Sequence, residues 1–249
     1  FFFFFSNSYE VHDTLTPIYI ATNTYTDQTF CYIITYQLKG FEKVDHQKYY
    51  RNIIVIGQPG TMHYPKASID ETVHEYAHIF SFQNWYNVNI FPASADEELA
   101  EACADIWAAV ITSQIYPNDV NKIWKIGEDV VLPTSGNTCI RNLADPSDEN
   151  AEIQMFADNC QNTVGDAYER SGVISHWFYL LTHGYSGTGC NGMCYNFPAI
   201  PIDSAAKLLF YCETHGHFMN GMTYENICQA SLDATENFSD PESIKISVL

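Results

Sequence analysis

Positive charge is scarce in this chain. Lysine and arginine number 11 among 249 residues, against 30 aspartates and glutamates, and the formal net charge is −19. A surface of that sign repels phosphate backbones and anionic headgroups, which argues against nucleic-acid partners and anionic membranes. Long apolar runs are missing too. None approaches the roughly 18 residues that a membrane-spanning helix needs, so no membrane insertion is expected. No complete signal peptide is seen, and the chain reads as a mature fragment. No internal repeat is evident.

Aromatic residues and cysteines are plentiful. Aromatics make up 15% of the chain, led by 17 Tyr and 16 Phe, and most are expected in the core or lining a cleft. The length suffices for a sizeable core in one or two domains. Eight cysteines, an even number, suggest disulfides and an oxidising, secreted setting. The local pairings suggested are Cys190–Cys194, Cys139–Cys160 and Cys212–Cys228, with Cys103 joined to a partner such as Cys31. A second zinc site built from Cys190, Cys194 and His183 is a rival use of two of them. Phe1–Phe5 reads as a buried strand, a segment docked on a partner, or a placeholder, and the sequence does not choose.

The most informative stretch is His74-Glu75-Tyr76-Ala77-His78. It has the form H-E-x-x-H. On a helix, residues four apart share a face, so both imidazoles can grip one zinc ion. Glu75 stands beside the first ligand, where it can act as general base on a metal-bound water. Downstream, Glu101 and Asp105 are again one helical turn apart. Glu101 would complete a His₂Glu site with a fourth position left open. Asp105 can accept the outer N–H of a zinc histidine and fix its tautomer. The bland alternative is a solvated acidic helix face, since Asp96, Glu97 and Glu98 are acidic as well. The Ala, Cys, Ile and Trp residues around Glu101 and Asp105 favour a buried site.

This combination resembles the thermolysin-like (M4, gluzincin) metallopeptidases, in which H-E-x-x-H is followed after about twenty residues by E-x-x-x-D. Four further segments are similar to the family's: Trp124-Lys125-Ile126-Gly127-Glu128-Asp129, Arg141 to Pro146, Ser171-Gly172-Val173-Ile174 with Trp177 to Leu181, and Ile202 to Tyr211. The resemblance runs from about residue 49 to about residue 238. It implies zinc held by His74, His78 and Glu101, with Asp105 behind a ligand and Glu75 as base. It also implies that Arg141 contacts the substrate carbonyl beside the cleaved bond.

The chain departs from the family in two places. Tyr168 stands where the family has an oxyanion-binding histidine, and Thr163 where an aspartate orients that histidine. A phenol can donate to an oxyanion, but it stabilises less than an imidazolium. The calcium sites look reduced as well. Asp70 and Glu128 match ligand positions, whereas Thr112, Ile123 and Lys125 stand where carboxylates are expected. The double calcium site is expected to be absent, leaving at most one Ca²⁺.

The expected fold class is α+β, a thermolysin-like two-lobe metallopeptidase. Residues 1–85 would form an abbreviated β-rich N-terminal lobe ending in the zinc helix, and residues 86–249 a mainly helical C-terminal lobe. Strands are expected at 17–20, 30–36 and 52–56, the last as an edge strand for an extended peptide. Helices are expected at 70–85, 98–115, 171–183, 203–215 and 223–235, with loops at 133–165 and 184–201. The function implied is a secreted zinc endopeptidase that cleaves peptide or protein substrates before a hydrophobic residue. The rival is a catalytically weakened binding or structural module of an extracellular assembly. The changes at Tyr168 and Thr163 speak for the rival, and the retained Glu75 speaks against it.

Overall fold

The computed structural model describes residues 31–37, 50–56, 62–85, 97–158, 160, 165–219 and 222–238. The strand expected at 17–20, Phe1–Phe5 and Thr163 lie outside them.

Chain order begins with strands β1 (Cys31–Gln37) and β2 (Tyr50–Ile56), rich in β-branched and aromatic residues. They pair antiparallel, with Ile33 opposite Ile54. Among the described residues β2 pairs only with β1. Helix α1 (Ile69–Trp85) packs against this pair and against helix α2 (Glu97–Ile115). Short helix α3 (Val120–Trp124) leads into β3 (Lys125–Ile126), which pairs with β4 (Arg141–Asn142). Helix α4 (Ala167–His183) is followed by β5 (Tyr185–Thr188), β6 (Cys194–Phe197), α5 (Ile202–Thr214) and α6 (Tyr224–Thr235).

Helix α2 is the centre of the core. Ala102, Cys103, Ala104, Ile106, Ala108 and Ala109 are all fully buried. Alanine favours helix and, being small, lets neighbouring helices approach closely. Helices α1, α3, α4 and α5 all touch α2. Large apolar groups such as Phe178, Leu181, Leu208 and Phe218 fill the remaining space. Among the described residues no helix is long and apolar enough to cross a membrane.

Several elements differ from the sequence reading, α3 and β4 among them, the latter lying within the loop expected at 133–165. Helix α4 starts at Ala167, four residues before the expected 171, because Asp166 caps it. Asp166 accepts from the Glu169 N–H at 2.9 Å, and Glu169 accepts from the Asp166 N–H at 2.8 Å, a reciprocal capping box. The expected loop at 184–201 contains the antiparallel pair β5–β6, with Thr188 opposite Cys194.

The cysteine pairing also differs. Cys160 is bonded to Cys190, so neither Cys139–Cys160 nor Cys190–Cys194 forms. Cys139 is fully buried, whereas Cys160 is exposed. Cys194 lies in the β6 ladder with Thr188 Oγ1 3.6 Å from its thiol. Cys212 faces the core and Cys228 faces outward, both as thiols, so that pair does not form either. Cys103 is a buried thiol and not a link to Cys31. With Cys190 oxidised, the Cys190–Cys194–His183 zinc site has lost a ligand, since only a thiolate binds zinc.

Candidate active site

The two central helices bring the H-E-x-x-H pair and the downstream glutamate together. His74 and His78 sit one turn apart on α1 with ring centroids 4.7 Å apart and Nε2 atoms 3.1 Å apart. From α2, Glu101 places Oε2 3.2 Å from His74 Nε2 and Oε1 3.4 Å from His78 Nε2. One ligand-type atom from each of the three residues lies within 4.8 Å of the others. Glu101 Oε2 is buried and makes no directed hydrogen bond, although His74 Nε2 is close. The three groups therefore converge on a shared point. An orphaned buried carboxylate oxygen beside two imidazole nitrogens fits a zinc ion.

Electrostatics agree with that reading. His74 is buried, which works against its charge, yet the hydrogen bond to Asp105 and the nearby Glu101 carboxylate push its pKa up to about 10. Burial raises the Glu101 carboxyl, but His74 and His78 hold it well below the usual carboxylate range. Glu75, 8% exposed, is the reverse case. Burial pushes its carboxyl upward against the charges of His74 and His78.

Asp105 is fully buried behind this cluster. It accepts from His74 Nδ1 at 2.7 Å, which leaves His74 Nε2 facing Glu101. It also accepts from Nε and Nη2 of Arg141, both at 2.7 Å. Arg141, on β4, is 4% exposed, so its guanidinium first serves Asp105. The Arg141 Cζ atom lies 5.4 Å from the ring centre of Tyr168, on the first turn of α4. Tyr168 is 39% exposed, and the charge of Glu101, followed by burial, pushes its phenol up to about 12. The structure thus gathers His74, Glu75, His78, Glu101, Asp105, Arg141 and Tyr168 into one region.

Two supporting groups escape the sequence reading. Glu71 stands one turn before Glu75, is buried, and its charge acts on both Glu75 and Arg141. Its four-residue spacing to Glu75 is the signal that could have found it. Glu213, on α5, accepts from Ser81 Oγ of α1 at 2.7 Å and from Trp107 Nε1 of α2 at 2.6 Å. One carboxylate so braces both helices of the cluster. Nothing local in the sequence around Glu213 signals this, because its partners lie more than a hundred residues away.

Two carboxylates at the calcium positions already have partners within the chain. Asp70 Oδ2 accepts from the Gly127 N–H at 2.5 Å, and Lys122 Nζ lies 3.2 Å from Glu128 Oε1 and 2.6 Å from Asp129 Oδ2. An ammonium already sits against Glu128, and Thr112 is a buried hydroxyl. Burial, then the charge of Asp70, pushes the Glu128 carboxyl up to about 7. Its second oxygen, Oε2, is buried without a hydrogen-bond partner.

Comparison with known proteins places this geometry. The precursor of protealysin, a metalloproteinase from Serratia proteamaculans, superposes with a TM-score of 0.59 at 13% identity, over 79% of this chain and 61% of that one. By fold, this is a thermolysin-like protein. The family described as thermolysin metallopeptidase, alpha-helical domain, matches residues 97–247, and the chain belongs to it. A bacillolysin of Bacillus cereus is 28% identical over 186 residues, which covers 74% of this chain and 30% of that protein. A zinc metalloproteinase of Legionella pneumophila is 28% identical over 130 residues, covering 52% of this chain and 22% of that protein. The matched region thus spans less than a third of either relative.

Proposed function

We propose that the protein is a secreted zinc endopeptidase. The observation that carries this reading is the convergence of His74, His78 and Glu101, with the buried carboxyl of Glu75 beside them. His74, His78 and Glu101 would hold the ion. When bound, zinc supplies Lewis-acid polarisation of a peptide carbonyl and of a water molecule. Glu75 takes the proton from the attacking water and hands it to the leaving amine, a role suited to a carboxyl raised by burial. Asp105 fixes the tautomer and orientation of His74. Tyr168 donates its phenol O–H to the oxyanion, and its raised pKa keeps that proton in place at neutral pH. Arg141 holds Asp105 and lies against Tyr168, from where it borders the substrate carbonyl. The Cys160–Cys190 disulfide supports an oxidising, extracellular setting.

The test is hydrolysis of a quenched fluorescent peptide library by wild type, Glu75→Gln and chelator-treated protein, with zinc content measured on each. Cleavage by wild type alone supports the peptidase. Stoichiometric zinc with no cleavage of any peptide overturns it and favours a metal-bearing binding module.

A further inference from the structure

Helix α4 has a second populated face. Opposite Tyr168, it forms one wall of an open cavity of about 440 Å³, bounded also by β5–β6, by α6 and by the segment at 157–158. That volume lies within the usual range for small-molecule sites. Aromatic rings dominate the lining: Trp177 from α4, Tyr185, Tyr195 and Phe197 from the strand pair, and Tyr224 from α6. All five are half-buried. Each of the three tyrosine hydroxyls has a partner within the chain, although Tyr195 keeps its own proton to donate. Tyr224 donates to the Arg170 carbonyl at 3.0 Å, Tyr195 accepts from Asn191 Nδ2 at 2.7 Å, and Tyr185 is 3.5 Å from the Thr188 carbonyl. Beside these polar tips the rings offer their π-systems, whose faces are negative.

Among the described lining residues the charged group is acidic. Asp158 is the one carboxylate among the described lining residues, and no lysine or arginine is among them. The disulfide from Cys160 to Cys190 ties the Asp158 segment to the strand pair, and Asp158 Oδ1 accepts from the Cys160 N–H at 3.1 Å. His176 also lines the cavity, and its Nδ1 lies 2.9 Å from the Leu143 carbonyl. A carbonyl only accepts, so Nδ1 carries the proton. Burial pushes the imidazole pKa down, so the ring is neutral and Nε2 is an acceptor. Ring faces, a carboxylate and an imidazole lone pair all favour positive charge.

We infer that this cavity binds an organic cation with an apolar stem, a guanidinium or alkylammonium group seated among the rings with its charge towards Asp158. The site is separate from the zinc-type cluster and does not depend on the proposed peptidase activity.

Calorimetric titration of the full chain at constant ionic strength tests this, with acetylarginine amide and benzyltrimethylammonium as the cations and acetylcitrulline amide as the neutral isostere. Each titration is run with and without a metal chelator. At least one cation is expected to bind saturably at one site, with or without chelator, about tenfold more tightly than acetylcitrulline amide. The tighter of the two cations identifies the group recognised. Asp158→Asn should weaken binding roughly tenfold, and Tyr195→Leu, which keeps apolar bulk, roughly two- to fivefold. Circular dichroism on both variants separates lost binding from lost fold. No saturable binding of either cation, equal binding of the neutral amide, loss of binding on chelation, or unchanged affinity in both folded variants would each overturn the inference.

Discussion

Arg141 grips Asp105 through two hydrogen bonds of 2.7 Å, and the same carboxylate accepts from His74. Both oxygens of a fully buried side chain are committed, one to orienting an imidazole and both to a guanidinium. Asp105→Asn cannot serve all three donors and leaves the buried Arg141 charge unpaired. Zinc affinity should fall about 10- to 100-fold, and stability by about 3–5 kcal/mol. Competition with a chromogenic chelator and urea denaturation measure the two effects. Unchanged zinc affinity would argue against the role given to Asp105.

Metal uptake should release a proton. Without metal, His74 has a pKa of about 10, so it is protonated at neutral pH, whereas a metal-bound imidazole is neutral. Affinity should therefore rise about tenfold per pH unit up to about pH 10. Zinc titrations at pH 7 in buffers of different ionisation enthalpy should report about one proton released.

Tyr168→Phe removes a hydroxyl and little else. If the phenol holds the oxyanion, kcat should fall about 100- to 1000-fold while KM and zinc content stay nearly constant. Steady-state kinetics with a cleaved library peptide checks this. An unchanged kcat would leave Tyr168 as a packing aromatic above Arg141.

Glu213 gives stability a pH dependence. Burial lifts its carboxyl from an ordinary 4.5 to about 7, with hydrogen bonds from Ser81 and Trp107 acting in the opposite direction. The folded state binds this proton more tightly than the unfolded state does. The stabilisation is therefore complete below pH 4.5 and is lost as pH rises through about 7. Glu213→Gln is neutral throughout and keeps one acceptor and one donor for the two partners. Relative to wild type it should gain up to about 3 kcal/mol on going from pH 4 to pH 8. Urea denaturation of both proteins across that range provides the measurement.

Gly172, on α4, leaves no room for a side chain. A Cβ there would lie 2.4 Å from Met155 Cβ and 2.5 Å from the Phe156 carbonyl oxygen. Gly172→Ala must displace backbone and should cost about 1–3 kcal/mol or more, seen as a lower urea midpoint. Gly136→Ala meets nothing within 4 Å, and its cost should come from its φ of +82° alone, about 1 kcal/mol.

The sequence displays its local periodicities well. His74 and His78, like Glu101 and Asp105, are spaced by one helical turn, and the helices that carry them bring these side chains to one place. The start of α4 is legible in principle, since Asp166-x-x-Glu169 is a capping pattern, but the Ser171-Gly172 pair draws attention to a later boundary. The strand pair at 185–197 is masked by glycine and asparagine, residues of low strand propensity. Disulfide partners are not legible, because Cys160 and Cys190 meet only after α4 has folded between them. The destination of Arg141 is likewise a tertiary fact. Its motif suggests a substrate contact, while its burial commits two of its nitrogens to Asp105.

The Lys122 ammonium, 2.6 Å from Asp129 and 3.2 Å from Glu128, is a counter-ion encoded by the gene. A dissolved ion at that corner would come and go with the medium, and its occupancy would follow its concentration. A tethered ammonium is present at one copy per molecule however dilute or chelating the surroundings. This part of the fold is therefore inherited with the chain rather than drawn from the environment.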